Sequence, residues 1–91
     1  MLQSRVDDIQ SRAAIVLADL ACVDDNQLAI AQQNGIQPLV DLLDSELEDV
    51  LVNSVNAVRV LCDNSAANQT EVARSGAIAP LVEFLVVNSC E

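Results

Sequence analysis

Three cysteines and an acidic cluster are the side chains best placed to do chemistry here, and each pattern fails the chemistry it suggests. Cys22, Cys62 and Cys90 are an odd set with no C-x-x-C pair, and the chain has no His. A zinc site needs close thiolate pairs or His, and a disulfide framework needs an even set. The three therefore read as small buried hydrophobes in a reducing compartment. Asp41, Asp44, Glu46, Glu48 and Asp49 invite a cation loop. An EF-hand wants Gly at its sixth position and Glu at its twelfth, and counting from Asp44 puts Asp49 and Val55 there. These acids read instead as a solvated corner, with Glu46 and Glu48 suited to the positive end of a helix. Asn68-Gln69-Thr70 fits a glycosylation sequon. The polar, acidic start from Met1 to Asp8 is neither a signal nor a transit peptide, so the sequon reads as coincidence.

Charge and composition narrow the partners. The 91 residues carry four Arg, no Lys and fourteen Asp plus Glu, a formal net charge of −10. Such a chain repels nucleic acid and anionic membrane. With Phe84 as its one aromatic residue, it has nothing with which to stack on bases. Without His or Lys it lacks the commonest general base and any Schiff-base chemistry. No apolar run approaches the ~20 residues needed to span a bilayer. These features point away from an enzyme and away from any cofactor or metal. They place the chain inside the cell, in the cytoplasm with the nucleus also open.

The elements that must carry any site emerge from a repeat. Pro38 and Pro80 stand 42 residues apart, and that offset aligns Asn26-Gln27 with Asn68-Gln69 and Pro38-Leu39-Val40 with Pro80-Leu81-Val82. Gly35 and Gly76 miss each other by one place. Upstream, residues 13–19 match residues 57–63 at an offset of 44, with the two extra residues of the first copy assigned to the loop around Val23-Asp24-Asp25. A period near 42 belongs to armadillo and HEAT arrays. Val6, Ile9, Ala13, Val16, Leu17 and Leu20 recur at steps of three and four and form one apolar helix face. Leu47, Val50, Leu51, Val55, Val58, Leu61 and Cys62 do the same in the second copy.

The ends of these helices also carry signals. Ser45 with Glu48 predicts a capping box, and Asp24-Asp25 an N-cap. Asn34-Gly35 predicts a helix stop with Gly35 left-handed. Each Pro falls in the first turn of the helix after such a stop, where its missing N–H costs nothing. The order is long, short, short, long, short, short.

Asn-Gln, a Gly-Ile corner, Pro-Leu-Val-x-Leu-Leu and a long Ala/Leu-rich helix resemble the armadillo repeat over nearly the whole chain. The resemblance implies an all-α, right-handed solenoid of about two repeats in the phase H3-H1-H2-H3-H1-H2. Residues 3–22 resemble an H3, 25–64 a complete repeat, and 66–87 an H1 and H2. It further implies a non-enzymatic module that binds an extended peptide or partner segment along the concave H3 face. In the family, H3 often carries a Trp and, four residues later, an Asn that holds the ligand backbone. The matching positions here are Ile15 and Asp19 in the first copy and Arg59 and Asp63 in the second, which departs from importin-type readers of nuclear-localisation signals. With Arg12 and Asn56 one turn earlier, the expected groove is Arg12, Ile15, Asp19, Asn56, Arg59 and Asp63.

A carboxylate accepts hydrogen bonds and cannot donate them, so the expected partner is a basic or neutral protein or peptide. The competing account of Asp19 and Asp63 is that they are solvated surface near helix C-termini, or that Asp19 pairs with Arg59 and Asp63 with another Arg across adjacent helices. The alternative function is a structural one, repeats that space a larger scaffold without a ligand of their own. Exposed apolar faces at residues 3–22 and 79–87 also predict self-association.

Overall fold

The computed structural model describes residues 5–89. Six helices follow one another: α1 (Arg5–Leu20), α2 (Asp24–Gln32), α3 (Ile36–Asp41), α4 (Glu48–Cys62), α5 (Ala66–Arg74) and α6 (Ile78–Ser89). A 3-10 turn, Leu42–Asp44, continues α3. The expected order of long and short helices is the observed one. Pro38 and Pro80 both sit in first turns, where no helical N–H is lost. The described residues form an all-α molecule, with long and short helices in the order long, short, short, long, short, short.

The fourth helix is the centre of the fold. Val50, Ser54, Ala57, Val58 and Leu61 are buried along it, and α1, α3, α5 and the 3-10 turn surround it. Against α4, α1 buries Ser11, Ala14 and Ala18 rather than its larger apolar residues. Small side chains let the two long helices approach closely, and Asn53 Nδ2 donates to Ser11 Oγ at 2.7 Å across the contact. Ser54 satisfies its buried hydroxyl by donating to the Val50 carbonyl. The apolar face read from the sequence of α1 exists, but Val6, Ile9, Val16 and Leu20 point to solvent within this chain.

Three end signals resolve differently from the sequence expectation. Val23 and Leu47, not Asp24-Asp25 and Ser45, are the N-cap residues of α2 and α4, and neither helix has a side-chain cap bond. Asp24 and Asp25 lie in the first turn of α2, where they complement the helix dipole. Ser45 Oγ instead accepts from the Leu47 N–H at 3.1 Å, so no capping box closes. A side-chain cap does form at α5, where Ser65 accepts from the Asn68 N–H at 3.2 Å.

The stop after α2 is made by Asn34 rather than Gly35. Asn34 is left-handed at φ 62°, and the Asn34 and Gly35 N–H groups bond the Ala31 and Ile30 carbonyls at 3.0 and 2.9 Å. That pair of bonds is a Schellman motif with Asn at C′. After α5 the left-handed residue is Gly76, at φ 90°. Asn34 and Gly76 are 42 apart, so the two corners are in register after all. Gly35 is a glycine for another reason: a Cβ there would lie 2.7 Å from Ile30 Cγ2.

The cysteines are less uniform than expected. Cys22 is exposed, and Cys62 is half-buried among the residues packed on the core. Burial pushes the Cys62 thiol up from its ordinary pKa. Cys90 lies outside the described residues, as do residues 3 and 4 of the first expected H3. The acids Asp41, Asp44, Glu46, Glu48 and Asp49 are all exposed. Among the described residues no group of three acidic, Cys or His side chains could hold a metal ion. No described helix is long and apolar enough to cross a membrane.

Candidate interaction surface

The repeated Asn-Gln pair has a definite job. Asn26 Nδ2 donates to the Leu20 carbonyl at 3.0 Å and Gln27 Nε2 to the Ala21 carbonyl at 2.9 Å. In the second copy Asn68 Nδ2 donates to the Leu61 carbonyl at 2.9 Å and Gln69 Nε2 to the Cys62 carbonyl at 2.8 Å. Each pair bonds two carbonyls at the end of a long helix; the Leu20 and Cys62 carbonyls also accept from the Val23 and Ser65 N–H groups at 3.2 and 3.3 Å. The ladder also crosses between copies, because Gln27 Nε2 reaches the Val60 carbonyl at 3.2 Å and Asn68 Nδ2 the Gln27 carbonyl at 3.2 Å. Asn68 is 1% exposed, so the sequon nitrogen is consumed inside the fold. Sequence reasoning noted the Asn-Gln repetition and assigned it no role, although two amides placed just beyond a helix end were the available signal.

These acceptors set the register of the long helices. Leu20 corresponds to Leu61 and Ala21 to Cys62, a separation of 41 rather than 44. The second copy therefore carries the longer loop, and its Asn64 is left-handed at φ 56°. The correspondence expected between Ile15 and Arg59 and between Asp19 and Asp63 is one helical turn out. In the structure Ile15 pairs with Asn56 and Asp19 with Val60.

All six expected groove residues, Arg12, Ile15, Asp19, Asn56, Arg59 and Asp63, are exposed. Arg12 Nε folds back on Asp8 Oδ2 at 3.0 Å, a solvent-exposed pair that contributes little. Arg59 donates to Asn56 Oδ1 at 2.9 Å. No ion pair joins Asp19 to Arg59 or Asp63 to an Arg among the described residues, so the ion-pair account of these charges fails on geometry, while both acids are exposed as the solvated account expects.

Apolar grooves lie on the surface of the described residues. One of about 280 Å³ lies between α1 and α2 and is lined by Leu17, Leu20, Ala29 and Ile30. The larger, about 630 Å³, runs between α4 and α6. Leu51, Val52 and Val55 form one wall and Leu81, Phe84 and Leu85 the other, with Asn56 and Arg59 at the edge. Arg12, Ile15, Asp19 and Asp63 line neither groove. The structure thus brings Asn56 and Arg59 together and leaves the other four on the open faces of α1 and at the end of α4.

Residues 24–63 match the armadillo/beta-catenin-like repeat family. The chain is a segment of armadillo repeats. It is 44% identical over 62 residues to the human ankyrin and armadillo repeat-containing protein, an alignment covering 68% of this chain and 4% of that protein. It is 38% identical over 89 residues to catenin delta-2 of Homo sapiens and, equally, of Mus musculus, covering 93% of this chain and 7% of each catenin. The chain spans less than a tenth of the length of these curated relatives. No solved structure matches it. Armadillo repeats are non-enzymatic and serve generally as protein-interaction modules.

Proposed function

We infer that these repeats bind an extended peptide or partner segment along the exposed side of α1 and α4, and that the partner is basic or neutral. The observation that supports this is the exposure of Arg12, Ile15, Asp19, Asn56, Arg59 and Asp63 on two long helices packed side by side. The rest of the repeat holds that pair rigid while those side chains stay in water. A net charge of −10 attracts a basic segment and repels nucleic acid and anionic membrane, and exposed charges make the attraction sensitive to salt. The chain acts inside the cell, where Cys22 and Cys62 stay reduced, and the domain division is that of a partial repeat, a complete repeat over 25–64 and a second partial repeat.

Extended peptides of equal length and positive, zero or negative net charge test this by fluorescence anisotropy. Affinity falls in that order, weakens with salt, and is lost when Asp19, Arg59 and Asp63 are replaced together while the helical circular dichroism persists. Equal affinities across the three peptides, or an unaffected triple variant, refute the reading. A second reading, repeats that only build a scaffold, is favoured by the engagement of Arg59 with Asn56 and of Arg12 with Asp8. It predicts the unaffected triple variant.

A further inference from the structure

We propose that Asn34 is a site of spontaneous deamidation, which the corner between α2 and α3 holds in check and which alters that corner irreversibly once it occurs. This goes beyond the peptide-binding reading and does not depend on it. The pair Asn34-Gly35 is the dipeptide in which the reaction meets least hindrance, because glycine carries no side chain to screen its nitrogen. The Gly35 nitrogen, on losing its proton, attacks Asn34 Cγ. A C–N bond forms, the Cγ–Nδ2 bond breaks, and ammonia departs, leaving a five-membered succinimide. Water then opens that ring at either carbonyl, giving aspartate or isoaspartate with no other reactant.

The fold keeps these two residues together. Residue 34 is left-handed at φ 62°, a conformation that Asn tolerates. Residue 35 has no room for a Cβ, which would lie 2.7 Å from Ile30 Cγ2. The equivalent corner after α5 places Gly76 at φ 90° with buried Ala77 behind it. That corner has no side-chain amide to lose.

The same corner restrains the reaction. The attacking nitrogen is already committed, since the Gly35 N–H donates to the Ile30 carbonyl at 2.9 Å, and removing its proton forfeits that bond. Left-handed backbone also turns the Asn34 Cβ away from the next nitrogen, so ring closure requires residue 34 to leave that conformation. Asn34 itself is exposed, so water reaches the side chain and only opening of the corner is needed. After conversion the original corner cannot re-form. Isoaspartate adds a methylene to the main chain between the two N–H groups that bond the Ala31 and Ile30 carbonyls. Aspartate adds a charge to the −10 already present, at the negative end of a helix whose last turn holds no basic residue.

Peptide mapping by mass spectrometry of the 91-residue chain, aged at mildly alkaline pH with and without denaturing urea, tests the proposal. Conversion at Asn34 is expected in urea. In the folded chain it is expected to be at least about tenfold slower, the suppression given by a corner open less than about a tenth of the time. Sub-denaturing urea should speed the folded reaction in step with hydrogen exchange of the Gly35 N–H. Anion exchange separates the converted chain, whose urea midpoint is expected to fall below that of the unmodified chain. An Asn34→Gly variant aged alongside is expected to keep its midpoint. Equal rates in the folded and unfolded chain, no conversion in urea, or conversion that ignores the opening of the corner would each overturn the proposal. So would a converted chain of unchanged midpoint, or an equal fall in Asn34→Gly.

Discussion

The side-chain amide of Asn68 donates to the backbone carbonyl of Gln27 at 3.2 Å, across 41 residues of chain. The same nitrogen reaches the Leu61 carbonyl, so one buried amide ties the end of a long helix to the first short helix of the preceding copy. Gln27 performs the matching task toward Val60 and Ala21. Stacked repeats touch only their neighbours, and these two residues are the polar part of that neighbour contact.

Asn68→Leu should lower stability by about 2 kcal/mol, because it takes the amide partner from the Leu61 carbonyl, breaks the crossing bond to Gln27 and introduces a bulkier shape. Asn26→Ala, at a more exposed position bonding only Leu20, should cost under about 1 kcal/mol. Urea denaturation followed by circular dichroism ranks the two variants. Equal losses would show that the crossing bond to Gln27 contributes nothing.

The two corners make opposite demands. Asn34→Gly should be close to neutral, since residue 34 is left-handed and glycine adopts that region freely. Gly76→Ala should cost about 1 kcal/mol by forcing a Cβ into φ 90°, with no atom nearby to clash. Gly35→Ala should be destabilising through the 2.7 Å approach to Ile30 Cγ2. Thermal melts of the three variants separate conformational from steric origin.

Thiol reactivity should discriminate the two described cysteines. In a Cys90→Ser background, a small disulfide reagent should react first with exposed Cys22 and more slowly with Cys62. Desolvation raises the Cys62 pKa, so its thiolate is scarcer at neutral pH, and thiolate is the reactive form. Its rate should continue to rise as pH passes the ordinary thiol pKa. Mass spectrometry of peptides from a timed reaction gives both rates, and faster labelling of Cys62 would contradict the burial argument.

Much of the architecture was legible without coordinates. Pro38 and Pro80, the two Asn-Gln pairs and the three-and-four spacing in both long helices are local signals, and local signals survive in a string of letters. They determined the helices, their order, the period and the family. The partners of those helices were less legible. Leu20 and Val16 look like core residues by periodicity, yet both stay exposed in the fold. At the candidate surface, Asn56 and Arg59 were correctly placed on one helix face, but the residues facing them from α6 were not anticipated.

What the sequence by itself determined is that this is an acidic, aliphatic armadillo segment of alternating long and short helices. Only the tertiary structure decided how its two copies correspond. A slip of three residues, from 41 to 44, turns a helix by nearly a full turn and returns the same apolar stripe to the same side, so periodicity cannot tell the two registers apart. Hydrogen bonds can, because an amide reaches one carbonyl and not the next turn's. Asn68 on Leu61 and Asn26 on Leu20 choose between them, and with that choice Asp19 comes to match Val60.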